Sequence, residues 1–366
     1  MKKEEALRHL YEQVCLPELE KRVAALESFF LKNKERLVDD FVQSIRQMAI
    51  KIKTMQDHGA MPAIGFLHFS LLRTAVLDGS NRYLIEAYTD KWYWEGIECF
   101  GSYDAGWAFQ GFPSLLQLLD EQRKKYIGVL DAPDVERLLL KELDYFTQFI
   151  SALVRLSIPE VVRLPEYQQL DKAQRFQIRV GEFKDISESV YVEDRLPREE
   201  QEARRLLEQA KDSYCTHETF ANMRLRQLKA NEMDLRYTDF SRSDLENGEF
   251  RHCVLIGTRW GGSSLANADF RHSLLADADF RQSDLRGANF SYADGQTSDD
   301  RLYRQPGLLG IRFDEANLEG ADFRHARLYK ASFYGANLHQ AMFLERDQDR
   351  YELTEPQRKE IHWIAE

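Results

Sequence analysis

The chain has 366 residues, with 43% hydrophobic and 30% charged side chains and a net charge of −11, enough for two domains. It has no apolar run of membrane-spanning length, the best stretch, residues 145–162, being interrupted by Gln148 and Arg155, and the start MKKEEALRHL lacks a signal-peptide core, so a soluble, cytoplasmic protein without membrane contact is expected. The four cysteines, Cys15, Cys99, Cys215 and Cys253, have no CxxC spacing, so neither a disulfide framework nor a zinc site is indicated.

Residues 18–56 place apolar side chains at Leu19, Val23, Leu26, Phe30, Leu37, Phe41, Ile45, Met48, Ile52 and Met55. Steps of three and four predict one amphipathic helix, about 60 Å long if unbroken. It is expected to pack lengthwise on helices of its own domain, pairing with a second copy being the alternative. Gly59 and Pro62 end it. From Ile64 to Tyr88 the pattern turns β-like around DGSN at 78–81, which predicts a hairpin. The stretch up to Phe112 is dense in aromatics. There Trp92, Trp94, Glu95, Glu98, Asp104 and Trp107 form the candidate pocket for a peptide or small molecule, although core packing accounts for the aromatics and is the preferred reading. Helices are expected next near 113–130 and 134–157, the second opened by Asp131-Ala132-Pro133. Residues 1–165 are therefore expected to be a mostly α-helical domain with a β-hairpin near 64–88. Residues 166–216 are expected to be a charged helical linker whose EEQEARRLLEQA segment covers the first layer of the C-terminal third.

From Phe220 to Phe290 a Leu, Phe or Trp recurs at every fifth position, interrupted only by Ala230. The ladder includes Phe240, Phe250, Trp260, Phe270, Phe280 and Phe290, and after a gap Leu308, Phe313, Phe323, Phe333 and Phe343. Two residues before each stands a small one, such as Ser243, Cys253, Ser263, Ala268 or Ala316. A period of five fits neither a helix nor a plain strand alternation, so each unit must be a short extended piece plus a turn, and the whole a solenoid. Small and large positions, two apart, point inward. Asp and Asn between them, with Arg236, Arg251, Arg271, Arg281, Arg286 and Arg324 beyond, face water.

The stretches SLANADF and ANLEGADFRHARLYKASFYGANL resemble the pentapeptide-repeat family, over residues of about 218–345. The resemblance implies that four units close one square coil of a right-handed β-helix, so that residues twenty apart stack. The expected fold class is thus an α+β multidomain chain: a mostly helical N-terminal domain, a right-handed quadrilateral β-helix at 217–345, and a capping or dimerisation helix at 346–366. Thr354-Glu355-Pro356-Gln357 reads as the capping box of that last helix, which is expected to present Ile361, Trp363 and Ile364 within one turn.

Between Phe290 and Leu308 the register breaks, so a loop must leave the coil at 291–307. Its Asp294, Asp299, Asp300, Arg301, Tyr303 and Arg304 are the candidate interaction loop, a tolerated surface insertion being the plainer alternative. The twenty-residue spacing also stacks His252 over His272 and Arg251 over Arg271, with Glu249 and Asp269 nearby. Two imidazoles about 5 Å apart are metal-ligand types, but Tyr292 comes next in the column, which therefore reads as a solvated face. His58, His68 and His217 show no nucleophile or ligand partner in the sequence. No Walker loop, GxSxG, HExxH, kinase set or dinucleotide fingerprint occurs, so no catalytic, cofactor or metal residue is assigned.

The expected function is that of a non-catalytic interaction or scaffold protein, with the helical N-terminal domain engaging a protein partner. A homodimer through the long helix or the C-terminal helix is the further expectation, and no direct nucleic-acid binding. The resemblance also implies an alternative, a DNA mimic acting on DNA gyrase, a type II topoisomerase. Against it, residues 216–345 carry 19 acidic and 16 basic side chains, nearly balanced, whereas mimicry needs a dominant negative field. A third reading makes residues 1–165 a ligand-binding or enzymatic domain positioned by the solenoid.

Overall fold

The computed structural model describes residues 2–94, 98–184, 186–195, 198–209, 215–295 and 308–365. The chain divides into two compact units, Met1–Glu193 and Asp194–Glu366.

The first unit opens with α1 (Lys3–Leu10), a π-helical turn and α2 (Leu16–Asp57). The apolar stripe of α2 finds its partners inside this unit. Phe30 packs on Trp107 and Phe149 with ring centroids 5.8 and 5.9 Å apart, and Phe41 packs on Phe69 and Tyr103 at 5.0 and 5.4 Å. Next come β1 (Ile64–Leu71), α3 (Arg73–Leu77), β2 (Arg82–Tyr88) and β3 (Phe100–Asp104). After them come α4 (Phe112–Arg123), α5 (Ala132–Leu140), α6 (Asp144–Val161), α7 (Pro165–Gln168), β4 (Lys172–Glu182) and β5 (Ser187–Asp194).

These strands form one sheet in the order β3-β2-β1-β4-β5. β1 is antiparallel to β2 and parallel to β4, with His68 opposite both Glu86 and Arg179. Leu67, Phe69, Tyr83, Ile85, Phe176, Ile178 and Val180 are all buried, as expected of the sheet face that meets the helices.

Three expectations are corrected. The N-terminal part is mostly helical and β1 and β2 pair antiparallel within 64–88 as expected, but that pair does not stand alone: it belongs to a five-stranded mixed sheet. The boundary at 165 and the charged helical linker at 166–216 do not hold either, since β4 and β5 occupy much of that segment. Phe176, Ile178 and Val180 alternate with Arg175, Gln177 and Arg179, a period of two that a high charge content masks. Finally, the helix expected at 134–157 is two helices, α5 and α6, separated at residues 141–143.

The second unit starts with α8 (Glu200–Gln209). Parallel single-residue bridges then join positions twenty apart, as in Arg224↔Asp244, Lys229↔Glu249, Asp234↔Val254 and Asp239↔Arg259. Each five-residue unit contributes one bridging residue and a turn, so through the described coils the pairing stays at isolated bridges and does not widen into strands. The ladder is buried from Phe220 to Phe343. Its rings stack: Phe240 on Trp260 at 4.4 Å, Trp260 on Phe280 at 5.7 Å, Phe250 on Phe270 at 5.4 Å and Phe270 on Phe290 at 4.9 Å. The small inward positions are bonded as well as packed. Ser243, Ser263, Ser273 and Ser283 donate to the carbonyls of Phe220, Phe240, Phe250 and Trp260 at 2.6–2.8 Å. Cys253 does likewise to Ala230 O, and burial pushes its thiol up to about 12, so it is an inert filler.

Both ends are closed by this unit's own residues. Ala203 and Leu207 of α8 share the apolar cluster of Phe220 and Leu225, and the Arg198 guanidinium lies 4.9 Å from the Phe220 ring. At the other end, Tyr351 packs on Phe333 and Phe343 at 5.6 and 5.8 Å. The capping box at Thr354 and Gln357 starts α9 (Glu355–Glu360). The last coil ends in β6 (Met342–Leu344), which pairs in parallel with β7 (His362–Ile364). Ile361, Trp363 and Ile364 therefore do not share one helical turn: α9 stops before them, and Trp363 packs on Phe343 at 5.8 Å as part of the end layer.

Candidate functional site

The sheet's second face carries an unexpected cluster. With Leu67 and Phe69 turned toward the helices, strand alternation puts Phe66, His68 and Ser70 on the opposite side. The β1–β2 register sets Glu86 and Tyr88 beside them, and β4 adds Arg179. Just after β2 the chain turns, with Trp92 N–H donating to Thr89 O at 3.2 Å. The turn lays Trp92 on Phe66 and Tyr88, at 4.0 and 5.7 Å, and over His68 at 5.6 Å. Trp92 adopts φ +55, an unfavourable conformation for a bulky residue.

His68, Ser70 and Glu86 are each at most 1% exposed. The Glu86 carboxylate accepts from Ser70 Oγ on one oxygen and from Tyr88 OH on the other. His68 Nδ1 lies 3.1 Å from Ser70 Oγ, 3.3 Å from Tyr93 OH and 3.7 Å from Glu86 Oε2. Ser70 Oγ gives its proton to Glu86, and Tyr93 OH has a proton to offer Nδ1. Nε2 is buried and without a hydrogen-bond partner among the described residues. Burial, and after it the charge of Arg179, push the His68 pKa down to about 4, so the ring is neutral. Burial and the neighbouring Glu86 push the Tyr88 hydroxyl up. This is not a Ser-His-acid relay: Ser70 gives its proton to the carboxylate, not to the imidazole.

The sequence-derived pocket residues are not brought together. Trp92 joins the His68 face. Trp107 packs on Phe30 of α2 and donates to Tyr103 OH at 2.9 Å. Trp94 is 92% exposed, Glu98 is exposed, and exposed Asp104 accepts from Gly106 N at 2.9 Å. Glu95 lies outside the described residues. So do Asp299, Asp300, Arg301, Tyr303 and Arg304 of the candidate loop. Asp294 is corrected from loop to coil, since it bridges Leu274 on one side and Arg327 on the other. The coil runs in register through Gly295, so the break begins later than residue 291. His58 Nδ1 sits 2.6 Å from Thr54 O at the end of α2, and the His217 ring stacks on Tyr237 at 4.9 Å.

On the repeat, the His252/His272 pair grows into a longer column. His252 stacks on His272 at 4.8 Å, His272 on Tyr292 at 5.1 Å and Tyr292 on His325 at 4.7 Å, and all four are exposed. No group of three or more metal-ligand side chains stands together among the described residues. Arginines of the repeat are folded back, beside the column and on the other faces. Arg271, Arg281, Arg286 and Arg324 each grip the Asp two residues earlier at 2.6–2.8 Å, and Arg251 grips Glu249.

The family described as pentapeptide repeats matches residues 263–294 and 310–343, in eight copies. Residues 263–294 and 310–343 are pentapeptide repeats. Among solved structures, a pentapeptide repeat protein from Nostoc PCC 7120 is 26% identical over 34% of this chain and 84% of that one, with a TM-score of 0.20. QnrB1, a plasmid-mediated fluoroquinolone resistance protein, is 24% identical in a trypsin-treated form, over 41% of this chain and 63% of that one, at 0.18. A pentapeptide repeat protein of the Arabidopsis thaliana thylakoid lumen is 24% identical over 40% and 72%, at 0.15. No curated protein matches significantly. The family match implies a right-handed β-helix for the repeat domain. Among the described residues no helix is long and apolar enough to cross a membrane.

Proposed function

We propose that this chain is a non-catalytic interaction protein in which the pentapeptide repeats form a rigid four-sided β-helix that offers one wall to a protein partner. Four units per twenty-residue coil give such a cross-section its four faces. The observation that carries the reading is the exposed column of His252, His272, Tyr292 and His325, set on a buried ladder closed at both ends. A preformed surface of aromatic edges loses little entropy on binding. Farther along, a groove of about 900 Å³ lined in part by Glu315, Lys330, Arg350 and Glu352 runs beside Tyr334, which is 79% exposed. A partner side chain could enter it.

The test is affinity capture with the full chain, comparing wild type with Tyr292→Ala and Tyr334→Ala. The expected result is a partner retained by wild type and lost from a variant whose melting temperature is unchanged. Equal retention by both variants, or no partner at all, overturns the wall reading.

The gyrase-directed DNA mimic fares worse. Its negative field requires carboxylates free to act as surrogate phosphates, and here Asp269, Asp279, Asp284 and Asp322 are each neutralised by the arginine two residues on. A supercoiling assay with added protein is expected to show no inhibition.

A further inference from the structure

We infer that the cavity between α3, α4 and α5 is a binding site for an aliphatic diamine, its two ammonium ends meeting Asp78 and Glu136. The site lies wholly in the first unit and does not rest on the repeat-wall reading.

The cavity measures about 540 Å³, within the roughly 300–1,000 Å³ range of small-molecule sites. Its apolar lining is aliphatic apart from Phe112: Val76 and Leu77 come from α3, Leu116 from α4 and Val135 from α5. Leu77 and Leu116 are only half-buried, so part of this floor is still wet, and a guest that covers it releases that water. Phe112 is 1% exposed and offers no open ring face to stack a flat guest or hold a quaternary ammonium. The floor therefore suits a chain of methylene groups.

Charge sets the ends. Asp78, Asp120 and Glu136 line the cavity against a single cation, Arg123. Arg123 is committed to Asp120, Nε to Oδ1 at 2.8 Å, and to the Leu130 carbonyl at 3.3 Å. Asp78 accepts from the Ser80 backbone N–H at 2.8 Å, which holds its carboxyl below the usual range and keeps it charged. Neither Asp78 nor Glu136 has a cationic partner among the described residues, and they stand on different elements, the end of α3 and α5. Two unmatched carboxylates on the walls of one apolar cavity favour two positive charges joined by an apolar chain, which lies on the floor while its charged ends reach the rim. A hard metal ion would match the charge but leave the floor bare.

Calorimetric titration of the full chain with cadaverine in low-salt buffer tests this, with pentylamine, which has one charge, and magnesium chloride, which has no chain, as controls. The expected result is saturable binding of cadaverine, at least about tenfold tighter than pentylamine and weakened at least about tenfold by Asp78→Asn and by Glu136→Gln. Asp78→Asn keeps an acceptor for Ser80, and neither position has a cation to lose, so both variants should melt with the wild type. The comparisons with pentylamine and magnesium use the wild type alone and stand whether or not a variant folds. Absence of saturable heat, equal affinity for pentylamine, unchanged affinity in either variant, or displacement of cadaverine by equimolar magnesium overturns the inference.

Discussion

Arg312 reaches across the break in the repeat to hold Asp279, Nη2 to Oδ2 at 2.8 Å, although thirty-three residues separate them. Asp279 is also gripped by Arg281, at 2.8 and 2.9 Å, and is 8% exposed. Burial alone would raise its carboxyl, but the hydrogen bond to Arg281 and the charges of Arg312 and Arg281 outweigh it and hold the group below the usual carboxylate range. A carboxyl lowered in the fold contributes stability above its unfolded value, near 3.8, and loses it as pH falls through the folded value. Asp279→Ala should therefore cost about 3–5 kcal/mol at neutral pH, since it strands a buried guanidinium. The gap from wild type should narrow in acid. Urea unfolding measures both, and a neutral-pH cost under about 1 kcal/mol would place this pair among ordinary surface ion pairs.

Gly310 marks the point where the coil resumes. It has φ +71, and a Cβ there would lie 2.1 Å from the Lys330 carbonyl oxygen, a backbone atom. Gly320 has φ +67 and nothing within 4 Å. Gly320→Ala should cost only the left-handed penalty, about 1–2 kcal/mol, because Asn247, His252 and Asn267 already occupy that conformation at φ 59, 57 and 56. Gly310→Ala should cost more, by about 2 kcal/mol or beyond, as the two coils must part. Thermal unfolding of the pair isolates the clash, and equal melting temperatures would show that the coils yield freely.

Gln357 ties the end layer to the last coil. Its Nε2 donates to Phe333 O at 2.8 Å and to Ala336 O at 3.1 Å, while its Oε1 accepts from Thr354 N at 3.0 Å. Thr354→Ala removes a cap and should cost about 1 kcal/mol. Gln357→Ala also leaves two carbonyls without their donor and should cost about 2–3 kcal/mol. Gln357→Glu keeps the acceptor and loses the donors, so it should resemble Gln357→Ala in thermal unfolding. If it behaved like wild type, the helix cap alone would account for Gln357.

The repeat is legible in the sequence because one five-residue rule acts at every coil and each ladder side chain obeys it independently of distant sequence. The His68 face is not, because its residues meet only through strand register. A tight two-residue turn at Gly79-Ser80 would set His68 opposite Lys91. The short helix α3, residues 73–77, takes up the connection instead and moves the partner to Glu86. β4 stays hidden for a related reason. Arg175, Gln177 and Arg179 give its segment the composition of a linker, and only the alternate Phe176, Ile178 and Val180 show a half-buried strand. The six aromatic-region candidates are close together in sequence, yet β3 runs between Trp92 and Trp107, which lie in separate short helical turns, one against His68 and the other against α2.

His68 provides a pH signature of its own. The groups facing it are Glu86, Tyr88, Tyr93 and Arg179, and burial together with Arg179 pushes its pKa down to about 4 from 6.5. A base depressed in the fold takes up its proton first in the unfolded chain. The stability it supports is therefore full above the unfolded value, falls as pH drops from 6.5 toward 4, and levels off below. The expected loss is roughly 3 kcal/mol. Hydrogen exchange of the β1 amides reports this unit alone. Wild type should lose protection between neutral pH and about pH 4.5, and His68→Phe, which has no proton to bind there, should lose distinctly less. Parallel losses in the two proteins would mean that His68 is hydrated or charged in the native state.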